Sequence, residues 1–226
     1  MKSILRTVLL VSLGACRALS SFGGAVQDSS ILQPAEKGRV FRAPALVELV
    51  KLDSTIRLDL RYASSNNFMG RPMYGSARAF LQRPAADALV RVHRALRHRG
   101  LGLTIFDAYR PWRVTKLFWD ETPAAKRAYV ADPRRGSIHN RGCAVDLTLC
   151  DQRTGKELPM PSPFDDFSLR ASPRYGGGTV QERANREILR RAMEAEGFTV
   201  NRGEWWHFDY REWREYGILD IPFTAF

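Results

Sequence analysis

The sequence predicts an α+β fold: a single domain in which a small mixed or antiparallel sheet is flanked by helices. Segments with helical spacing and segments with strand-like alternation are interspersed, without the regular strand–helix–strand repetition that builds a parallel sheet. The chain has 226 residues, 44% hydrophobic and 26% charged, enough for one well-cored domain and an N-terminal appendage. The two clearest helical segments each run into a glycine, Gly100 and Gly197, the usual stop for a helix inside a compact domain.

Residues 1–16 read as a secretory signal. Lys2 and Arg6 give a basic start, Thr7 to Leu13 a short apolar core, and Gly14-Ala15-Cys16 a small-residue end. The apolar core is too short to span a bilayer. Leu13-Gly14-Ala15-Cys16 resembles a bacterial lipobox, which implies that Cys16 becomes a lipidated first residue, holding an exported protein at the membrane in the periplasm or cell envelope. The alternative is an ordinary signal peptide cut elsewhere. Residues 17–42 are rich in Ser, Gly, Ala and Gln without periodicity and read as a flexible tether.

The domain is expected over 43–226. Leu46 to Val50 and Ile56 to Tyr62 alternate as strands do, and Asn66 to Pro72 carries turn residues. Ala85 to Arg99 places Leu89, Val92 and Leu96 at helical spacing with arginines opposite, and His93 and His98 are expected to face solvent with them. Leu103 to Asp107 reads as a buried strand, and Arg113 to Trp119 as the start of a helix. Ala144 to Leu149 reads as a second buried strand. Thr179 to Glu196 reads as a long helix, and Phe198 to Val200 as the approach to Glu204.

The net charge of +11 comes from scattered arginines with no compact basic block, which argues against nucleic acid and fits a surface facing anionic envelope polymers. Beyond Cys16 there are two cysteines, Cys143 and Cys150, at a separation that puts them on opposite faces of a strand. They are expected to be buried and unpaired.

Two short segments carry the chemistry, Ser137-Ile138-His139-Asn140-Arg141-Gly142-Cys143-Ala144-Val145-Asp146 and Glu204-Trp205-Trp206-His207. A catalytic metal needs three protein ligands, an open position and a nearby base, and His139, Asp146, His207 and Glu204 supply that set. On an unbroken strand His139 and Asp146 would face opposite ways, so the chain must bend between them, and Arg141-Gly142 provides the bend. Glu204, three residues before His207, is close enough to act as base rather than ligand. Arg110, between a buried strand and Pro111, is suited either to an oxyanion or to a structural ion pair.

These segments resemble those of the zinc D-alanyl-D-alanine dipeptidase family, a branch of the peptidoglycan metallopeptidases marked by Ser-x-His-x6-Asp and Glu-x-Trp-His patterns. Arg61 to Gly70 is similar to the family's N-terminal signature, and Leu158 to Phe167 to its substrate-pocket segment. The resemblance implies one zinc ion per chain, at the sheet, held by His139, Asp146 and His207, with Glu204 as general base and Arg110 stabilising the transition state. It implies a dipeptide site lined by Ser137, Tyr62 and Asp165, Asp165 binding the free ammonium, although the adjacent Asp166 competes for that role. The expected reaction is hydrolysis of D-Ala-D-Ala to two D-alanines, with peptidoglycan fragments as possible further partners. The rival readings are a D,D- or L,D-carboxypeptidase acting on stem peptides, and a non-catalytic envelope lipoprotein that keeps zinc for stability.

Overall fold

A computed structural model describes residues 30–226; the expected signal and Cys16 lie outside the described residues. Strand β1 (Leu46–Glu48) leads directly into a single-turn helix, α1 (Leu49–Leu52), and pairs antiparallel with β3 (Phe80–Gln82). The main sheet has the order β2-β4-β5-β7-β6, formed by Arg57–Leu58, Leu101–Asp107, Ala144–Asp151, His207–Tyr210 and Phe198–Val200. Only β2 and β4 run parallel, so the sheet is mixed, as expected for an α+β domain.

Two helices cover one face of this sheet. In α2 (Arg83–Arg97) the stripe Leu89, Val92, Leu96 is buried against Leu103 and Ile105 of β4. In α4 (Val180–Ala195) Leu189 and Met193 join the same core, and Thr179 caps the helix by accepting from the Glu182 N–H while Glu182 answers in return. Val145, Leu147 and Leu149 of β5 belong to that core. By alternation, Asp146 and Thr148 face the other side. There α3 (Trp112–Glu121) and a cluster of Tyr62, Tyr74, Phe80, Tyr109 and Phe118 build a second, aromatic core.

Several expectations change here. The alternation over 56–62 yields only the short β2, after which Arg61–Ala63 turns as a 3-10 helix, and β3 and β7 were not anticipated. His98 is exposed as expected, but His93 is buried. It lies four residues after Leu89 and three before Leu96, on the inner stripe, and the flanking arginines masked that spacing. Its Nδ1 accepts the Leu103 N–H at 3.3 Å, which leaves Nε2 to donate to Thr55 Oγ1 at 3.0 Å.

The stretch 30–42, expected to belong to the tether, lies against the domain. Gln33 donates to the Ile218 carbonyl at 2.9 Å and Arg42 reaches Glu212 at 2.8 Å. Composition suggested flexibility, but these few charged and amide side chains find fixed partners. Cys143 and Cys150 are buried and free, as expected.

Candidate metal centre and substrate cleft

Asp146 and His207 meet because β5 and β7 are in register: the two residues are direct cross-strand partners, so both side chains leave the same face. His139 arrives from a 3-10 turn, Ile138–Arg141, that ends at Gly142 with φ 68°, a left-handed conformation suited to glycine. That turn reverses the chain into β5 and supplies the bend the sequence required. One ligand atom from each of His139, Asp146 and His207 lies within 4.8 Å of the others, and all three residues are buried.

The hydrogen bonds around the imidazoles decide where their lone pairs point. His139 Nδ1 is 2.7 Å from the Ala108 carbonyl, so it carries the proton. His207 Nε2 is 2.8 Å from Asp209 Oδ1, so it carries the proton there. The remaining nitrogens, His139 Nε2 and His207 Nδ1, therefore turn lone pairs towards one another at 3.1 Å, beside Asp146 Oδ1, which is buried without a hydrogen bond. Two outward protons fixed by acceptors and three inward donors are the pattern of a metal site. With no cation among them, the imidazoles would answer the buried carboxylate by taking up protons, and against the cost of burial that holds the Asp146 carboxyl well below its usual range. Burial would lower His207, yet Asp146 and Asp209 raise it well above the ordinary histidine value. The site draws positive charge to this point, a demand that a divalent cation meets.

Glu204 stands apart from the ligand set. Its Oε2 is 3.8 Å from His207 Nδ1, adjacent to the ligand cluster but beyond hydrogen-bond reach. Its place in the pocket wall pushes its carboxyl up from the ordinary range, towards a better base. Arg110 is buried and forms the structural ion pair that one reading expected, while also lining the cleft that the other reading would need. Its Nε and Nη2 donate to Asp107 Oδ2 at 3.0 and 2.7 Å, while the guanidinium lines the cleft over the rings of Tyr62 and Phe118. Asp107 is fully buried and also accepts the Tyr74 hydroxyl at 2.7 Å.

The cleft is about 870 Å³ and includes Tyr62, Ser137, Asp165 and Trp206. Tyr62 donates to the Asp165 carboxylate at 3.1 Å. Asp165 has φ 58°, the only positive φ among the described non-glycine residues. Aspartate tolerates that conformation better than most residues, and here it stands in the pocket wall. Burial, with the charge of Asp146, pushes its carboxyl up to about 8. Asp166 also lines the cleft but has no bond to Tyr62. Ser137 lines the cleft while its hydroxyl accepts the His139 N–H at 3.2 Å, capping the metal turn. Trp205 is buried and donates to Ser162 at 3.0 Å.

The site residues expected from the sequence, Tyr62, Arg110, Ser137, His139, Asp146, Asp165, Glu204 and His207, all line this cleft. Sequence reasoning missed Asp107 and Asp209. Asp209 had a signal, since it lies two residues after His207 and so shares its face of a strand.

The D-ala-D-ala dipeptidase family model matches residues 42–220. The chain is 34% identical over 181 residues to a D-alanyl-D-alanine dipeptidase of Escherichia coli strain K12, covering 80% of this chain and 92% of that protein. It is 33% identical to a protein of the same name from Enterococcus faecium over 178 residues, 70% of this chain and 87% of the relative. Another from Streptomyces coelicolor is 33% identical over 189 residues, 72% of this chain and 89% of the relative.

Proposed function

The chain belongs to the D-ala-D-ala dipeptidase family of peptidases, and on that footing we propose that it hydrolyses the free dipeptide D-Ala-D-Ala to two D-alanines with one zinc ion. The observation that carries the reading is the convergence of His139 Nε2, Asp146 and His207 Nδ1, with Glu204 beside them but outside the ligand set.

Those three side chains would hold the zinc. When bound, it supplies Lewis acidity that polarises the scissile carbonyl and acidifies water. Glu204 accepts a proton from the attacking water and returns it to the amide nitrogen as the C–N bond breaks. Arg110, kept charged by Asp107 despite its burial, donates to the carbonyl oxygen as negative charge gathers there. Asp165, with Tyr62 donating to it, receives the ammonium of the dipeptide and brings the scissile bond to the ligand cluster. Burial of Asp107 and Arg110 in aromatic surroundings keeps the oxyanion donor from swinging to water.

The test is product analysis with D-Ala-D-Ala, L-Ala-L-Ala and N-acetyl-D-Ala-D-Ala, with and without a chelator. Chelator-sensitive release of D-alanine from the free D,D-dipeptide alone is expected. Equal cleavage of the acetylated compound would replace the dipeptidase with a carboxypeptidase. For the N-terminus, the proposal is export and lipid anchoring at Cys16, supported by Leu13-Gly14-Ala15-Cys16. Labelled palmitate should enter the parent protein and not Cys16→Ala.

A further inference from the structure

The turn that carries His139 ends in a buried arginine. Arg141 is 6% exposed, and its guanidinium sits between the rings of Phe41 and Trp213, 5.9 and 5.6 Å from their centres. One nitrogen donates to the Tyr216 carbonyl. The charge is met by Glu36, whose Oε1 is 2.5 Å from Nη2 and whose Oε2 is 3.3 Å from Nη1. Glu36 Oε2 also accepts the Ile218 N–H at 3.0 Å, so one carboxylate ties the N-terminal strap to both the metal turn and the C-terminal segment. Among the described residues no other carboxylate is recorded bonded to Arg141.

The remainder of the turn is pinned from its other sides. The Asn140 side chain donates to the Arg110 carbonyl and to Thr115 Oγ1, both at 2.8 Å, and the Asn140 backbone carbonyl accepts the Leu219 N–H at 2.9 Å. The Arg141 carbonyl accepts Gln82 Nε2 at 2.9 Å, and the His139 carbonyl accepts the Arg110 N–H at 3.1 Å. Among the described residues, the guanidinium makes the hydrogen bonds of this turn to the strap, and a buried cation keeps its place only while its counter-charge stays.

We infer that Glu36 is a positioning residue for the metal centre: through Arg141 it fixes the turn that presents His139. Glu36 lies N-terminal to the stretch shared with the family. The strap is therefore a working part of this enzyme, acting at a distance on ligand geometry. This rests on the metal reading of the same site, because what Glu36 sets is the direction of the His139 Nε2 lone pair. Groups that orient metal ligands change affinity by 10–100-fold when removed, and an effect relayed through one further side chain belongs at the lower end, about tenfold.

The experiment measures zinc affinity of the full mature chain by competition with a chromophoric chelator, at a temperature where circular dichroism shows every metal-free variant folded. Glu36→Gln is expected to weaken zinc binding by about tenfold. Glu36→Asp keeps the charge but cannot reach both guanidinium nitrogens, and it should give a smaller loss in the same direction, also serving if Glu36→Gln does not fold. Arg42→Gln, which cuts the strap's exposed pairs to Glu212 and Glu215, should leave affinity within about twofold, since exposed ion pairs contribute little. A purely structural strap would instead lower thermal stability in all three variants with zinc affinity unchanged, and that result overturns the inference. A parent chain that binds no zinc sinks the metal reading and this inference with it, whereas parental zinc binding without dipeptide hydrolysis sinks only the proposed reaction.

Discussion

Replacing Asp107 by Asn tests whether Arg110 is held for chemistry by a buried counter-charge. The substitution keeps the shape of the side chain and removes one negative charge. In the parent that charge receives two bonds from Arg110, at 3.0 and 2.7 Å, and one from Tyr74 at 2.7 Å, with no exposure of Asp107 to water. The Arg110 guanidinium also lies over the rings of Tyr62 and Phe118, 5.2 and 4.9 Å from their centres, and it feels the cleft carboxylates Asp146 and Asp165 only at longer range, without a hydrogen bond to either. Removing one partner of a buried pair costs about 3–5 kcal/mol, and Asn, still able to accept one bond, belongs at about 3. For a domain of this size that amounts to a fall in melting temperature of roughly 6–12 °C. The guanidinium should then tilt towards water and away from the carbonyl oxygen. Loss of one fixed oxyanion donor lowers kcat by about 10²–10³. Scanning calorimetry gives the first number, and D-alanine release well below the transition gives the second. Removing the stranded charge with Arg110→Met should restore part of the stability of Asp107→Asn but none of its activity. If Asp107→Asn melts with the parent and turns over at the parental rate, Arg110 is not held by this pair and its proposed role falls.

Glu204→Gln should retain stoichiometric zinc and the parental melting temperature while losing activity by at least ~10²-fold, and metal analysis that finds the zinc gone would make Glu204 a ligand instead. His139→Ala should remove most of the zinc together with activity; stoichiometric metal in that variant would count against the ligand assignment. Asp165→Asn should raise KM for D-Ala-D-Ala far more than it changes zinc content, and unchanged KM would move the ammonium site elsewhere, Asp166 being next to try. Stability should also depend on pH through His93, which burial lowers from its usual value while Nδ1 accepts the Leu103 N–H. Below about 6.5 the unfolded chain takes up a proton that the folded chain resists, so this contribution is complete above that pH and is lost as pH falls through the folded value. The melting temperature should therefore drop more steeply between pH 7 and 5 in the parent than in His93→Gln; equal slopes would show that His93 is not buried neutral.

Features that depend on local pattern and side-chain chemistry were legible in the order of amino acids alone. The α2 and α4 helices followed from spacing and glycine stops, the buried strands from their apolar runs, and the proposed ligands and base from two short motifs. The sequence also required a bend before Asp146, and Gly142 provides it at φ 68°. Tertiary structure decided what depends on residues distant in the chain. That Asp146 and His207 share a face follows from the register of β5 on β7, which no local spacing encodes. Asp107 looked like the polar end of a strand until the aromatic core closed over it and left Arg110 as its partner. His93 was misjudged because the arginines beside it signalled solvent, whereas burial was set by where β4 crosses α2. The strap was misjudged for the complementary reason: a stretch poor in apolar residues carries no periodic signal, and Glu36 becomes ordered only because folding leaves Arg141 as a buried charge 105 residues away. Local sequence pointed to the groups that the proposed chemistry uses, and long-range packing specified how firmly each is held, because desolvation, the force that makes a buried charge need its partner, exists only once the chain has folded.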